Sequence, residues 1–179
     1  MKIEPCSPAE CRHRLPELVG LLRDAVQHGA SIGFTQPLAP GEAEDYWRGV
    51  AAALTGGDKR LLLALDADDR LLGSAQLALE QRSNGRHRAE VQKLLVWHKA
   101  RRRGVGAALM AEIEHEAAAA DRTLLFLDTS VGPGGAEAFY RRLGYQPAGG
   151  IPDYAADPDG QLRDNVIFYK RLPPRATAS

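Results

Sequence analysis

The residues best suited to chemistry lie mid-chain, in Glu90–Gly106, EVQKLLVWHKARRRGVG, which ends on Arg101-Arg102-Arg103-Gly104-Val105-Gly106. The apolar residues before this run read as a strand, and the alanine-rich stretch after it reads as a helix. A strand, turn and helix in that order place the unpaired N–H groups and positive dipole end of the helix at the turn. Gly104 and Gly106 let backbone pass close to a ligand, and the three arginines add charge. Together these features describe an anion site, most naturally for a phosphate or pyrophosphate. The plainer alternative is a solvated basic turn that only starts a helix. Two other phosphate-binding patterns compete poorly. A Walker A loop needs GxxxxGK followed by Ser or Thr, which is absent. A dinucleotide fingerprint needs GxGxxG, and its third glycine position is Leu109. Asp128 does lie 22 residues beyond Gly106, near the place of a ribose carboxylate. However, the six residues Trp97 to Arg102 stand where that motif needs a tight turn.

The rest of the chain must position this turn. Residues 1–5 read as a short strand. Ser7-Pro8-Ala9-Glu10 is a helix start, with Ser7 as cap, Pro8 in the first turn and Glu10 closing a capping box. Pro16 interrupts or restarts that helix, and Leu15, Leu18, Val19, Leu22 and Val26 then recur at helical spacing. Gly29 ends it, and GASIGF follows as a loop. A second helix is predicted over about 41–54, with Trp47, Val50, Ala51 and Leu54 on one face. Lys59–Leu65 and Leu71–Glu80 read as a hairpin around DADDR. A longer strand runs over about 87–97, and the alanine-rich helix reaches about Ala120. TLLFLDTS, residues 123–130, is a short strand, AEAFYRRLG a short helix, and 145–151 and 165–172 two closing strands. PDYAADPDGQLR between them reads as a polar loop. The order β, α, α, β, β, β, α, β, α, β, β implies an α/β fold on a mixed sheet. We find no internal repeat and no linker between domains, so residues 1–172 are expected to form one domain and 173–179 a frayed, disordered tail.

Composition narrows the classes of function. The chain has 179 residues, and a chain of about this length buries enough surface to fold as one domain without staples. Lys plus Arg and Asp plus Glu both number 23, a balance that argues against a general nucleic-acid binder. Cys6 and Cys11 are too few for a disulfide scaffold or a four-cysteine zinc site, and the five histidines show no paired ligand spacing. No metal is therefore expected. No segment has the run of about 20 apolar residues that a membrane span needs. MKIEPCSPAECRHR lacks the apolar stretch of a signal peptide, so the expectation is a cytoplasmic protein with no membrane partner.

Arg101, Gly104 and Gly106 fit the pattern Gln/Arg-x-x-Gly-x-Gly/Ala after a strand. AEAFYRRLGY supplies a short helix carrying a tyrosine, followed by Gly and an aromatic. In these segments and in element order, over nearly its whole length, the chain resembles the GCN5-related N-acetyltransferases (GNATs). GASIGF, AEVQKLLV, LLFLDT, AEAFYRRLGY and IPDYAADPDG, in that order and spacing, resemble more narrowly the tabtoxin resistance acetyltransferases of that family. The resemblance implies the GNAT fold: a mixed, mostly antiparallel sheet with helices on both faces and a splayed cleft for acetyl-CoA, the cosubstrate.

The resemblance also implies roles. Arg101, Arg102, Arg103, Gly104, Val105 and Gly106 would hold the pyrophosphate, largely through backbone N–H groups. Leu94, Leu95 and Val96 would lend backbone groups to the pantetheine arm, one of them facing the thioester oxygen as an oxyanion donor. Tyr140 would be the general acid, because a phenol with pKa about 10 stays protonated at neutral pH. Glu90 and Asp128 would be the carboxylates that bind the acceptor ammonium or take its proton, with the choice of base left open. Gln92 shares a strand face with Glu90. Gly33 and Phe34, in GASIGF, would form part of the acceptor wall. Plainer readings stand beside these: Tyr140 as a core aromatic, Glu90 paired with Arg88 or Lys93, Asp128 as a loop cap. Arg102 stands where relatives commonly have glycine, so a positive φ there would mean strain. His98 stands where many have proline, and Pro133 where the wider family often has an asparagine.

The expected activity is direct acetyl transfer from acetyl-CoA to the amine of a small molecule, an antibiotic or toxin being the best motivated acceptor and resistance the corresponding role. The competing class is a non-catalytic acyl-CoA-binding module, which would need the arginine–glycine turn but not Tyr140, Glu90 and Asp128. A homodimer is expected from the family's habit.

Overall fold

The computed structural model describes residues 1–132 and 136–173; Pro133 and nearly all of the 173–179 tail lie outside the described residues. Strand β1 (Lys2–Pro5) leads into helices α1 (Pro8–His13), α2 (Leu15–Gln27) and α3 (Glu42–Leu54). Strands β2 (Lys59–Leu65), β3 (Leu71–Leu79) and β4 (Arg88–Val96) follow, then a 3-10 turn (His98–Ala100) and α4 (Val105–Ala119). The chain continues through β5 (Leu124–Ser130), α5 (Glu137–Arg142), β6 (Gln146–Gly149), β7 (Ala155–Ala156), β8 (Leu162–Arg163) and β9 (Asn165–Arg171). Seven strands form one sheet in the order β1-β2-β3-β4-β5-β9-β6. Every pairing in it is antiparallel except β4 with β5.

The sheet is covered on both faces because its central strands are apolar on both. Leu62, Ala75, Leu77 and Val91 pack with Leu109, Met110, Ile113 and Ala117 of α4. Leu61, Leu63 and Leu65 pack on the other face with Leu18, Leu22 and Trp47 of α2 and α3. The sequence-based elements are present, and the first helix is interrupted and restarted as expected, with the break at Arg14. The Ser7 hydroxyl caps α1, accepting from the Glu10 N–H at 3.1 Å, and Pro16 sits in the first turn of α2, where its missing N–H has no helical partner to lose. Leu54 is only half-buried. The loop predicted over PDYAADPDGQLR contains the small β7–β8 hairpin. Asp157-Pro158-Asp159-Gly160 forms its turn, with the Gly160 N–H donating to the Asp157 carbonyl at 2.8 Å, an arrangement that Pro and Gly favour at these positions.

One feature of the sheet creates the site. The parallel pairing of β4 with β5 covers only Arg88, Ala89 and Glu90 opposite Leu124, Leu125 and Phe126. Beyond it the strands separate, and β4 from Val91 to Val96 has no strand partner on its β5 side.

Candidate active site

The gap between β4 and β5 opens into a cleft of about 1430 Å³. Its donor end is built from one continuous segment. After β4 the 3-10 turn is held to α2, since the Asp24 carboxylate accepts from the His98 N–H at 2.7 Å and the His98 ring stacks on His28 at 3.9 Å. The chain then turns through Arg102, at φ 58°, and Gly104, at φ 81°, into α4. No side chain caps α4, so the N–H groups of Val105, Gly106 and Ala107 face the cleft without helical acceptors. The two glycines are required for different reasons. Gly104 has open space where a Cβ would be, and its need is the positive φ. Gly106 has ordinary φ, but a Cβ there would meet the Phe139 ring at 3.3 Å, so it lets α4 close on α5. Arg102 holds its positive φ without being glycine, the strain foreseen for it.

Leu94, Leu95, Val96, Arg101, Arg102, Gly104, Val105 and Gly106 all line the cleft. Arg103, whose side chain is exposed, is not among the lining residues. Phe34 is the second departure. Its ring packs edge-on against Tyr46, 5.4 Å between centroids, in the core behind the wall, while Gly33 and its neighbours Ala30 to Ile32 form the wall itself.

The acceptor end is assembled from distant segments. Glu90 lies opposite Phe126 in the parallel pair, and Asp128, two residues further on, shares its face. Both line the cleft. Glu90 accepts from the Gln92 amide at 2.8 Å, and is not paired with Arg88, which binds Glu80 instead. Asp128 is exposed, and the Asn165 amide donates to it at a long 3.5 Å.

Behind Glu90 runs a polar chain that the sequence did not disclose. Lys59 donates to Gln92 at 2.8 Å and to Gln76 at 3.1 Å, and Gln76 donates to the Tyr46 hydroxyl at 2.8 Å. Gln76 is fully buried on β3. Its sequence signal was a polar residue amid an apolar strand run. Burial pushes the Tyr46 phenol up to about 12 and holds the Lys59 ammonium below its ordinary range.

Tyr140 of α5 packs against Phe139, Tyr145 and Phe168, and also lines the cleft. It is at once a core aromatic and a cleft residue. Among the described residues its hydroxyl has no hydrogen-bond partner, yet it is not sealed from the cleft. Burial, with a smaller push from Asp128, raises the phenol to about 12. It therefore stays protonated at any ordinary working pH. No cluster of potential metal ligands occurs among the described residues, and no described helix is long and apolar enough to cross a membrane.

A cleft between splayed parallel strands, closed at one end by an uncapped helix start, suits a long donor with a pyrophosphate group. Comparison with known proteins identifies the family. The model of the acetyltransferase (GNAT) family matches residues 25–145. The chain belongs to that family. Membership makes it an acyltransferase with acetyl-CoA as cosubstrate, and sets aside the non-catalytic module. Solved structures of GNAT proteins share the fold over nearly the whole chain. The ribosomal-protein-alanine N-acetyltransferase of Brucella melitensis is 22% identical, with a TM-score of 0.79 over 96% of this chain and 100% of that one. A GCN5-related N-acetyltransferase of Kribbella flavida is also 22% identical, with a TM-score of 0.78 over 96% and 97%. An aminoglycoside 6'-N-acetyltransferase complexed with coenzyme A is 18% identical, with a TM-score of 0.74 over 99% and 100%.

Proposed function

We propose that this GNAT protein transfers the acetyl group of acetyl-CoA directly to the amine of a small molecule, without an acyl-enzyme. The observation that carries this reading is the convergence of a protonated, unengaged phenol, Tyr140, and two same-face carboxylates, Glu90 and Asp128, on one cleft. The donor site fits acetyl-CoA by its shape and its free N–H groups. Arg101, Arg102 and the N–H groups of Val105, Gly106 and Ala107 hold the pyrophosphate, and the unpartnered backbone of Leu94 to Val96 takes the pantetheine arm. One N–H of that strand faces the thioester oxygen as it gains charge. The thioester supplies an activated acetyl group with a good leaving thiolate.

At the acceptor end the two carboxylates divide the work. Glu90, fixed by Gln92, anchors the acceptor ammonium. Asp128, open to water, takes the proton that must leave before nitrogen can attack. As the C–N bond forms and the C–S bond breaks, the nitrogen releases its second proton to solvent, while Tyr140 gives its phenolic proton to sulfur and regains one from solvent.

The fold neighbours include one protein named for a ribosomal-protein alanine and one for an aminoglycoside, so their names do not choose the acceptor. The acceptor we favour is an antibiotic or toxin bearing an amine, and the support is the local likeness of AEVQKLLV and IPDYAADPDG to the tabtoxin resistance group. The test is incubation with acetyl-CoA and a panel comprising the tabtoxin-derived β-lactam, aminoglycosides, amino acids and polyamines, read by mass spectrometry. Rapid acetylation of one class is expected. Binding of acetyl-CoA with no acetylated amine would overturn the small-amine reading.

A further inference from the structure

Lys93 is the residue that the donor and acid–base roles leave unused. Strict strand alternation would put its side chain on the face opposite Glu90 and Gln92. The structure does otherwise. Between the pairs Ser74–Leu95 and Gln76–Gln92, β4 takes three steps while β3 takes two, so β4 carries a bulge. Lys93 sits in it at φ 48°, a left-handed conformation that a lysine adopts only under strain. Strain of this kind clusters at functional sites, where it re-aims a side chain. Here it turns Lys93 toward the Glu90 side, where its Nζ lies 3.8 Å from the point a Cβ on Gly33 would occupy.

In that place the ammonium lines the cleft and has no ion-pair or hydrogen-bond partner among the described residues. Glu90 and Asp128 are near enough to act on it by charge but not near enough to bond it. Lys59 is near enough to repel it. Lys59 already spends two donors on Gln76 and Gln92, whereas Lys93 spends none. The acceptor pocket thus offers a carboxylate fixed for a cation and, beside it, a bulge-aimed cation free for an anion.

We infer that Lys93 is a specificity-determining residue that binds a carboxylate on the acceptor, so that the preferred substrates are amino-acid-like zwitterions. The inference rests on the small-amine reading and deepens it. A carboxylate there gains a charge-assisted hydrogen bond and relieves the repulsion between the two lysines. A polyamine or aminoglycoside instead sets a further cation against Lys93.

The test uses matched acceptors, common L-amino acids and their primary carboxamides, with acetyl-CoA and mass-spectrometric kinetics. For the wild-type protein, kcat/KM favours the acid over its carboxamide by about tenfold or more, the range expected for a hydrogen bond between charged groups. Lys93→Gln, which keeps the chain length, brings the pair to near parity through loss on the acid. Lys93→Arg, which keeps the charge, retains the preference. Circular dichroism and acetyl-CoA binding verify that both variants fold. Carboxamides acetylated as well as acids by the wild type, or an acid preference that survives Lys93→Gln, would overturn the inference and leave the small-amine reading standing. No product from any acceptor, with acetyl-CoA bound, would overturn the small-amine reading and this inference with it.

Discussion

At the donor end of the cleft, six consecutive residues, Arg101 to Gly106, supply the turn, the charge and the start of the helix. At the acceptor end the working groups come from β2, β3, β4, β5, β9, α3 and α5, and from the loop after α2. The donor end relies on backbone: free N–H groups of α4 and an unpartnered strand edge. The acceptor end relies on side chains, several of them held by others: Glu90 by Gln92, Gln92 by Lys59, Gln76 by Lys59 and Tyr46. A backbone site tolerates many side chains so long as the turn can form. A side-chain site changes its ligand with one substitution. That division lets one donor serve many acceptors across a family that shares a fold.

Substitutions can break this division into separate readouts. The largest effect is expected for Tyr140→Phe, which removes the proposed acid and leaves the rest of the cleft in place. Turnover should fall by about 10²–10⁴-fold, the usual worth of a positioned proton donor, while calorimetric affinity for acetyl-CoA is kept. In the wild type the phenol, raised to about 12, should not limit turnover as pH climbs past its ordinary value of 10.0. A pH–rate profile checks this, and a loss centred on that ordinary value would contradict it.

Next in size are the carboxylates. Asp128→Asn should lower kcat by about 10–10²-fold if it is the base, as proposed. Glu90→Gln should act mainly on KM, because the anchor loses its charge. Steady-state kinetics on one acetylated amine separates the two. The reverse pattern would exchange their roles.

Gly104→Val should weaken acetyl-CoA by about tenfold or more, since a β-branched residue at φ 81° reshapes the turn. Kinetics at saturating donor should recover most of the rate. Arg102→Gly is the smallest. It relieves the strain at φ 58° and should raise stability by up to about 1 kcal/mol, read as a higher melting temperature. It should cost only a little donor affinity, because the N–H groups remain.

The same contrast explains what was legible in the sequence. The donor turn is local, so its glycines, arginines and helix start stand in one line of residues. The strands and helices follow from apolar spacing, and Ser7 and Pro16 mark their helix starts correctly. The acceptor end depends on register. Lys93 could not be placed from alternation, because the bulge that redirects it exists only in the pairing of β3 with β4. Gln76 and Lys59 read as ordinary strand residues until the sheet sets them beside Gln92. Phe34 and Arg103 each stand next to residues that line the cleft without lining it themselves, a distinction that proximity in sequence does not make. The β7–β8 hairpin is too short to show a strand pattern, although its turn residues were in view.

The central claim is that the donor is held by backbone groups of the strand gap and the α4 start. Amide hydrogen exchange with and without acetyl-CoA tests it most directly. Protection is expected at Leu94–Val96 and at Val105–Ala107, with little change along the outer strands β1 and β6. Binding that leaves the amides of Val105, Gly106 and Ala107 unprotected would contradict it.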